Sequence, residues 1–270
     1  MRTLALLLSL AVLPTLTVMA DHHGPTLTPQ DSGTLNRLQA VSAVNPRVVW
    51  VSGLGGTYAL TTDGGKTWQP GVVPGAETLQ FRDVEGVNAR VAYLMSAGPG
   101  ADSRVYKTED GGATWTLQFQ NENPAAFYDC FAFWTQKRGI TFSDAVDGRF
   151  PVIRTTDGET WQDIGDFLPP AQVGEAGFAA SGTCVTAQGG KRAWIGTGAA
   201  TLARILATVD GGVTWELTAW PPFPGAIYGL SYVRGLGTTT VVITGPSGTA
   251  WSPDEGDTWE IGDRTLNTGE

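Results

Sequence analysis

Short apolar runs alternate with glycine, proline and asparagine punctuation along the chain after residue 37, and no stretch there keeps a helical period. The first unit shows the rhythm. "LQAVSAV" at 38–44 alternates, "VVWVSGL" at 48–54 and "TYALTT" at 57–62 come next, and "TWQPGV" at 67–72 closes the unit. Runs this short, rich in β-branched and aromatic residues and divided by Asn-Pro, Gly-Gly and Asp-Gly-Gly, predict four strands joined by tight turns. The pattern returns over residues 78–122, 126–169, 176–222 and 226–264.

Between the third and fourth strands of each unit stands a variant of one octet. The first is "TTDGGKTW" at 61–68; "TEDGGATW" ends at Trp115, "TVDGGVTW" at Trp215 and "SPDEGDTW" at Trp259, while "TTDGETW", ending at Trp161, is one residue short. The aspartates Asp63, Asp110, Asp157, Asp210 and Asp254 recur at spacings of 47, 47, 53 and 44. That period, with four strands per copy, predicts an all-β chain folded as a β-propeller of four-stranded antiparallel blades. Each aspartate is expected to accept backbone N–H groups within its own turn, with glycine supplying positive φ. Trp68, Trp115, Trp161, Trp215 and Trp259 are expected to wedge between blades. Carboxylates spread around a rim cannot converge on one substrate, so the octet reads as scaffold. The short copy is expected to form a tighter turn with fewer internal bonds, its Trp161 still packed.

The two ends set further expectations. "PTLTPQDSGTLNRLQAV" looks like an outer strand running into an inner one, so residues 25–33 are expected to be the fourth strand of a last blade. Only "EIGDRTLNTGE" comes after Trp259, which favours five whole blades in an incomplete six- or seven-bladed ring. The competing arrangement is a closed five-bladed ring with residues 21–36 disordered. Residues 1–20 carry Arg2, an apolar run from Leu4 to Leu13 and small residues at Val18 and Ala20, the pattern of a secretory signal peptide. The run is short for a membrane span, and no later segment resembles one. The expected division is a signal peptide at 1–20, an N-terminal segment with a closing strand at 21–37 and the propeller at 38–270. The expected location is secreted or periplasmic, with no membrane span after cleavage.

Composition agrees: 36 glycines and 10 tryptophans suit tight turns and packed sheets. The net charge is −9, and loss of Arg2 leaves 16 basic against 26 acidic residues, or −10. A nucleic-acid partner is thereby disfavoured. Cys130 and Cys184 each lie nine residues before the second strand of their unit, at Gly139 and Ala193, so they occupy equivalent points on adjacent inner strands. A disulfide and a pair of buried thiols are both open.

The octet, Ser/Thr-x-Asp-x-Gly-x-Thr-Trp, resembles the Asp-box or bacterial neuraminidase repeat of sialidases, sortilin-type receptors, some glucanases and photosystem II assembly factors. Four copies match fully, and the simple form around "VWVSGLGG" and "TTDGGKTW" is similar to exported proteins grouped with those assembly factors. The resemblance implies architecture and not chemistry.

Candidate binding residues are polar groups on the inner strands, where a propeller exposes them at the mouths of its tunnel: Arg82, Asp83, Tyr128, Asp129, Ser181, Tyr228 and Ser231. The loop "SDAVDGRF" at 143–150 adds Asp144, Asp147 and Arg149. Each also reads as a residue that merely bonds its neighbours. Sialidase chemistry needs three arginines, a tyrosine assisted by a glutamate, and an aspartate. The arginine motif that precedes the first box in sialidases is absent, since Arg37 and Arg47 lack its context, and only Tyr228 with Glu175 and Arg82 suggests itself. His22 and His23 are the only histidines, which leaves no Ser-His-Asp set and no metal ligand group. No phosphate-binding loop is present. No metal or cofactor is expected. The expected function is an exported scaffold that holds a protein client at a tunnel mouth, with Phe127, Tyr128, Trp134 and Phe150 as aromatic anchors. The alternative is a glycoside hydrolase of sialidase type or another enzyme. The assembly factors hold their client through a basic patch, which this acidic chain does not match.

Overall fold

The computed structural model describes residues 26–178, 182–199, 203–233 and 240–262, so the expected signal peptide and Ser181 lie outside the described residues. The chain divides into two units, Met1–Gln30 and Asp31–Glu270. Of the first, residues 26–30 have no regular structure.

The second unit contains five four-stranded sheets, each a simple antiparallel meander. The first holds β1 (Leu38–Ala43), β2 (Val49–Gly53), β3 (Thr57–Thr61) and β4 (Gln69–Val72). The second holds β5 (Phe81–Gly86), β6 (Ala92–Ser96), β7 (Arg104–Thr108) and β8 (Thr116–Gln120). The third holds β9 (Tyr128–Thr135), β10 (Arg138–Ser143), β11 (Val152–Thr155) and β12 (Gln162–Asp163). The fourth holds β13 (Val185–Gln188), β14 (Arg192–Gly196), β15 (Ile205–Thr208) and β16 (Glu216–Leu217). The fifth holds β17 (Gly229–Val233), β18 (Thr240–Gly245), β19 (Gly248–Ser252) and β20 (Glu260–Ile261). The first strands lie side by side in the order β1, β5, β9, β13, β17, as the inner strands of successive blades do.

Alternating side chains give each inner sheet two apolar faces, and those faces meet in four cores. Trp50, Phe81 and Leu94 join the first and second sheets, and Met95 and Phe131 join the second and third. Phe142 and Ile195 join the third and fourth, and Trp194 and Ile243 the fourth and fifth. Among the described residues no such core joins the first sheet to the fifth. Polar tips of large side chains add a strap at each seam. Trp50 Nε1 donates to the Asn88 carbonyl at 2.9 Å and Tyr93 Oη to Gln136 at 3.0 Å. Trp134 Nε1 donates to Arg192 at 2.6 Å and Trp194 Nε1 to Glu255 at 2.8 Å. Each buried donor thereby finds an acceptor on the following sheet, as burial requires.

All five octets close their turns in the same way. In the first, Asp63 Oδ1 accepts from Thr61 Oγ1 and Thr67 N, both at 2.9 Å, and Oδ2 from Thr67 Oγ1 at 2.7 Å. Gly64 and Gly65, at φ of 79° and 83°, carry the chain round. These bonds hold the Asp63 carboxyl down at about 2, first through the Thr67 N–H, and that of Asp110 at about 2, first through the Thr114 hydroxyl. The short octet departs from expectation. It keeps its bonds, because Glu159 N and Thr160 N both reach Asp157 Oδ1 at 2.8 Å while Thr160 Oγ1 reaches Oδ2 at 2.8 Å. Gly158 N donates to Thr155 Oγ1 at 2.9 Å, taking the place that Gly65 N fills toward Thr61 Oγ1 in the first octet. Trp161 packs as expected, edge-on to Phe133 at 6.0 Å in the core shared with the preceding sheet. Asp110→Ala is expected to lower the melting temperature more than Thr114→Val, which leaves the Thr114 N–H bond intact. Equal melting temperatures for both variants and the parent protein would count against the box as a structural clasp.

The segment before β1 corrects another expectation. Residues 26–37 form no strand; instead Asn36 Nδ2 donates to Thr57 Oγ1 at 2.7 Å, tying the segment to the first sheet. The cysteines are bridged: Cys130 on β9 and Cys184, just ahead of β13, have Cα atoms 5.9 Å apart and are fully buried.

Candidate functional site

In a four-stranded meander the loop into the first strand and the loop between the second and third strands fall at the same end. The register of the inner strands is irregular there. Leu38 pairs with Gly53 and Ala40 with Ser52, leaving Gln39 extra. Phe81 pairs with Ser96 and Asp83 with Met95, leaving Arg82 extra. Tyr128 pairs with Ser143 and Cys130 with Phe142, leaving Asp129 extra. A bulge of this kind re-aims its side chain. Thr183 and Tyr228 stand at the same level in the fourth and fifth sheets, since Cys184 faces Gly196 and Gly229 faces Thr244. One polar residue per sheet therefore marks this end: Gln39, Arg82, Asp129, Thr183 and Tyr228. Gln39 Oε1 and Asp129 Oδ2 are buried acceptors with no donor among the described residues.

Three carboxyls lie behind this level. Asp83 Oδ2 accepts from Phe131 N at 2.9 Å, linking the second and third sheets, and burial raises its pKa well above the ordinary value. Asp144 Oδ1 accepts from Gly177 N at 2.9 Å, linking the third sheet to the loop before β13. Asp129 sits beside Asp144; burial first, and then the neighbouring carboxyl, push its pKa up to about 9. Burial raises Asp144 as well. The pair thus carries a shared proton at neutral pH. Gly182, at φ 63°, lies against Arg82 and Asp83 so tightly that a Cβ there would stand 2.8 Å from the Arg82 carbonyl. Next to Gly177, Phe178 packs on Tyr228 with ring centres 4.7 Å apart, and the Tyr228 ring is half exposed.

Of the expected residues that are described, the structure gathers Arg82, Asp83, Asp129, Asp144 and Tyr228 and disperses the others. Tyr128 is buried between the second and third sheets, edge-on to Phe119 at 5.3 Å, and burial pushes its phenol pKa up. Asp147, at φ 52°, forms a two-residue turn with Gly148 between the bridged residues Val146 and Arg149. Arg149 turns outward to Asp163 at 2.7 Å and Asp166 at 2.5 Å. Ser231 is exposed on β17. Glu175 is buried in a two-pronged pair with Arg204, Nε to Oε1 at 2.7 Å and Nη2 to Oε2, and accepts from Thr197 Oγ1 at 2.5 Å. The Tyr228–Glu175–Arg82 arrangement is therefore not formed. Trp134 and Phe150 are core residues and not exposed anchors. Gln39, Thr183 and the Asp144–Gly177 bond were missed. Their signal was the alignment of inner strands on Cys130 and Cys184, which puts Thr183 opposite Asp129.

At the other end, two clefts of about 440 and 460 Å³ flank Trp134 and Thr135, the first beside Glu85 and Gln136 and the second beside Gln188 and Tyr232. Among the described residues no group of three or more His, Cys, Asp or Glu side chains is placed to hold a metal ion, and no helix is long and apolar enough to cross a membrane.

The BNR/Asp-box repeat family matches residues 59–70, which run from β3 through the first octet to Pro70. No curated protein matches the sequence. Among solved structures, YCF48 from Cyanidioschyzon merolae is similar at 14% identity over 85% of this chain and 73% of its own, with a TM-score of 0.53. An ancestral GH74 enzyme is similar at 18% identity over 86% of this chain, with a TM-score of 0.58. The match spans only 34% of that enzyme's chain. A YCF48 bound to D1 peptide aligns at 18% identity over 87% of this chain and 84% of its own, with a TM-score of 0.41. Fold and repeat together define the class: a β-propeller that carries a BNR/Asp-box repeat.

Proposed function

We propose that this propeller is an exported scaffold that holds a segment of a client protein across the mouth marked by Arg82, Asp129, Thr183 and Tyr228. The carrying observation is the level of five equivalent inner-strand residues, of which Gln39 holds a buried acceptor without a donor among the described residues. A donor group of a bound segment would satisfy Gln39 Oε1, and the Phe178–Tyr228 pair offers an aromatic anchor. Arg82, Asp129 and Tyr228 meet there, but the sialidase set of three arginines and a tyrosine assisted by a glutamate does not form: Arg149 is spent on a rim ion pair, Tyr128 on the core and Glu175 on Arg204. Export is supported by the apolar N-terminal run and by the disulfide, which suits an oxidising compartment. Affinity capture from the exported fraction tests this reading. One client should be recovered with the parent protein, and recovery should drop with Arg82→Ala and with Tyr228→Ala. Equal recovery with both variants would refute the mouth as the site.

A second reading, glycoside hydrolysis, rests on Asp129, a carboxyl kept protonated beside another carboxyl. Its burial under Gly177 denies it a glycosidic oxygen, since a Cβ on Gly177 would stand 2.5 Å from Asp129 Oδ2. Incubation with xyloglucan and with sialyllactose is expected to release no reducing sugar or sialic acid. Release that Asp129→Asn abolishes would reverse this order of readings.

A further inference from the structure

We propose that the groove along β16, at the seam between the fourth and fifth sheets, binds an extended peptide segment carrying basic residues next to apolar ones. The groove begins as a cleft of about 320 Å³ whose walls include Glu216, Asp254, Glu255 and Asp257. Arg192 pairs with Glu255 at 2.7 Å; among the described ion pairs no cation answers Glu216, Asp254 or Asp257. Past Leu217 and Thr218, which line both parts, the groove runs into a smaller, mostly apolar cleft of about 70 Å³ beside Trp220 and Pro221, whose lining also includes Arg204, its charge answered by Glu175. Trp220 is 56% exposed and Leu217 is 47% exposed. Acid and exposed aromatic surface thus lie end to end in one groove.

The equivalent seam between the second and third sheets is closed. There Gln118 Nε2 reaches Glu159 Oε2 at 3.2 Å, and Lys107 pairs with the same carboxylate. At the β16 seam, Thr218 packs against Gly256, and Glu216, Glu255 and Asp257 line the cleft, while the Asp254 carboxyl is held within its own turn. The apolar wall is fixed in advance. Ala219 N donates to the Gly256 carbonyl at 2.9 Å, Trp259 Nε1 donates to the Ala219 carbonyl at 3.1 Å, and Pro221 and Pro222 stiffen the chain just after Trp220. A wall ordered before binding spares the ordering cost.

Charge selects the occupant. The chain carries −9 overall, so a second copy, a nucleic acid or an anionic bilayer would bring like charge to a carboxylate-lined groove. A basic segment meets opposite charge, and its apolar residues meet the Trp220 face, which also attracts cations. Aromatic-lined grooves suit extended, proline-containing segments. The surface lies apart from the mouth residues and does not depend on their role.

The test uses the full-length protein and a fluorescein-labelled synthetic peptide of alternating lysine, leucine and proline, read by anisotropy. The two comparison peptides replace lysine by glutamate or leucine by serine. The first peptide is expected to bind, and each comparison peptide to bind about tenfold more weakly or worse. Trp220→Ala, and separately the pair Glu216→Lys with Asp257→Lys, should each weaken binding about tenfold or more. The charge pair should also flatten the salt dependence, while Tyr228→Ala should change nothing. All these positions are exposed, so melting curves report whether folding is intact; Leu217→Ser replaces Trp220→Ala if the latter unfolds. The proposal is overturned by no binding to the parent protein, by equal binding of the glutamate peptide, or by binding that survives both groove variants. Self-association that Trp220→Ala removes would also overturn it, by placing a second copy in the groove.

Discussion

Replacing both Cys130 and Cys184 by alanine is expected to lower the unfolding free energy by about 4 kcal/mol. The bridge closes a loop with a sequence separation of 54 residues, and chain-entropy scaling gives a figure of that size for such a loop. For a chain of this length the melting temperature should fall by roughly 10 °C. The site sharpens the effect. Cys130 and Cys184 are both fully buried, and they join β9 to the start of β13 where the third and fourth sheets share a core. At the seam before it the corresponding link is the bond from Phe131 N to Asp83 Oδ2. Losing the covalent link should therefore loosen one seam, and hydrogen exchange should rise first in β9 and β13. Thiol titration of the denatured, unreduced protein should find no free thiol. Two free thiols, or an alanine pair that melts with the parent protein, would sink this account.

Much of the fold was legible because each octet reports a local structure that it also builds. Asp63, its glycines and Thr67 close a turn from within eight residues, and no distant residue is needed to define it. Strand order came with it, since a meander leaves little choice of neighbour. The equivalence of Cys130 and Cys184 was also legible, from their common distance to the next strand. The mouth was only partly legible. Arg82, Asp129 and Tyr228 were visible as polar residues on inner strands, yet the bulges that align them with Gln39 and Thr183 depend on a second strand's register. Arg149 misled because the sequence shows its neighbours Asp147 and Gly148 and not its partners Asp163 and Asp166. The short octet misled for a similar reason: counting residues does not reveal that Gly158 N can take over the bond that Gly65 N makes in the first octet. The missing strand at residues 26–37 shows the limit of likeness between segments, because a strand also needs an edge to join.

Stability should be greatest in mildly acidic solution and should fall as the pH rises toward 9. Asp129 sets the direction. Its folded pKa of about 9 lies above the ordinary value of 3.8, so its contribution is full below that value and is lost as the pH climbs through the folded pKa. Between those limits each pH unit removes on the order of 1.4 kcal/mol. Buried Asp83 and Asp144 titrate in the same direction. The box aspartates act oppositely. Asp63 and Asp110 titrate at about 2 in the fold, so their contribution is present above the ordinary carboxylate value and is lost as the pH falls toward 2. The two trends cross just above that ordinary value, close to the isoelectric point near 4.7, where repulsion among the excess acids is also least. Asp129→Asn separates the causes. The amide can still donate to Asp144 and cannot ionise, so the variant should match the parent protein near pH 4 and exceed it increasingly above. Denaturant titrations from about pH 4 to 9 read the slope directly. A parent protein most stable at alkaline pH, or an Asp129→Asn variant whose stability tracks the parent's across the range, would show that Asp129 does not hold a proton beside Asp144 in the folded state.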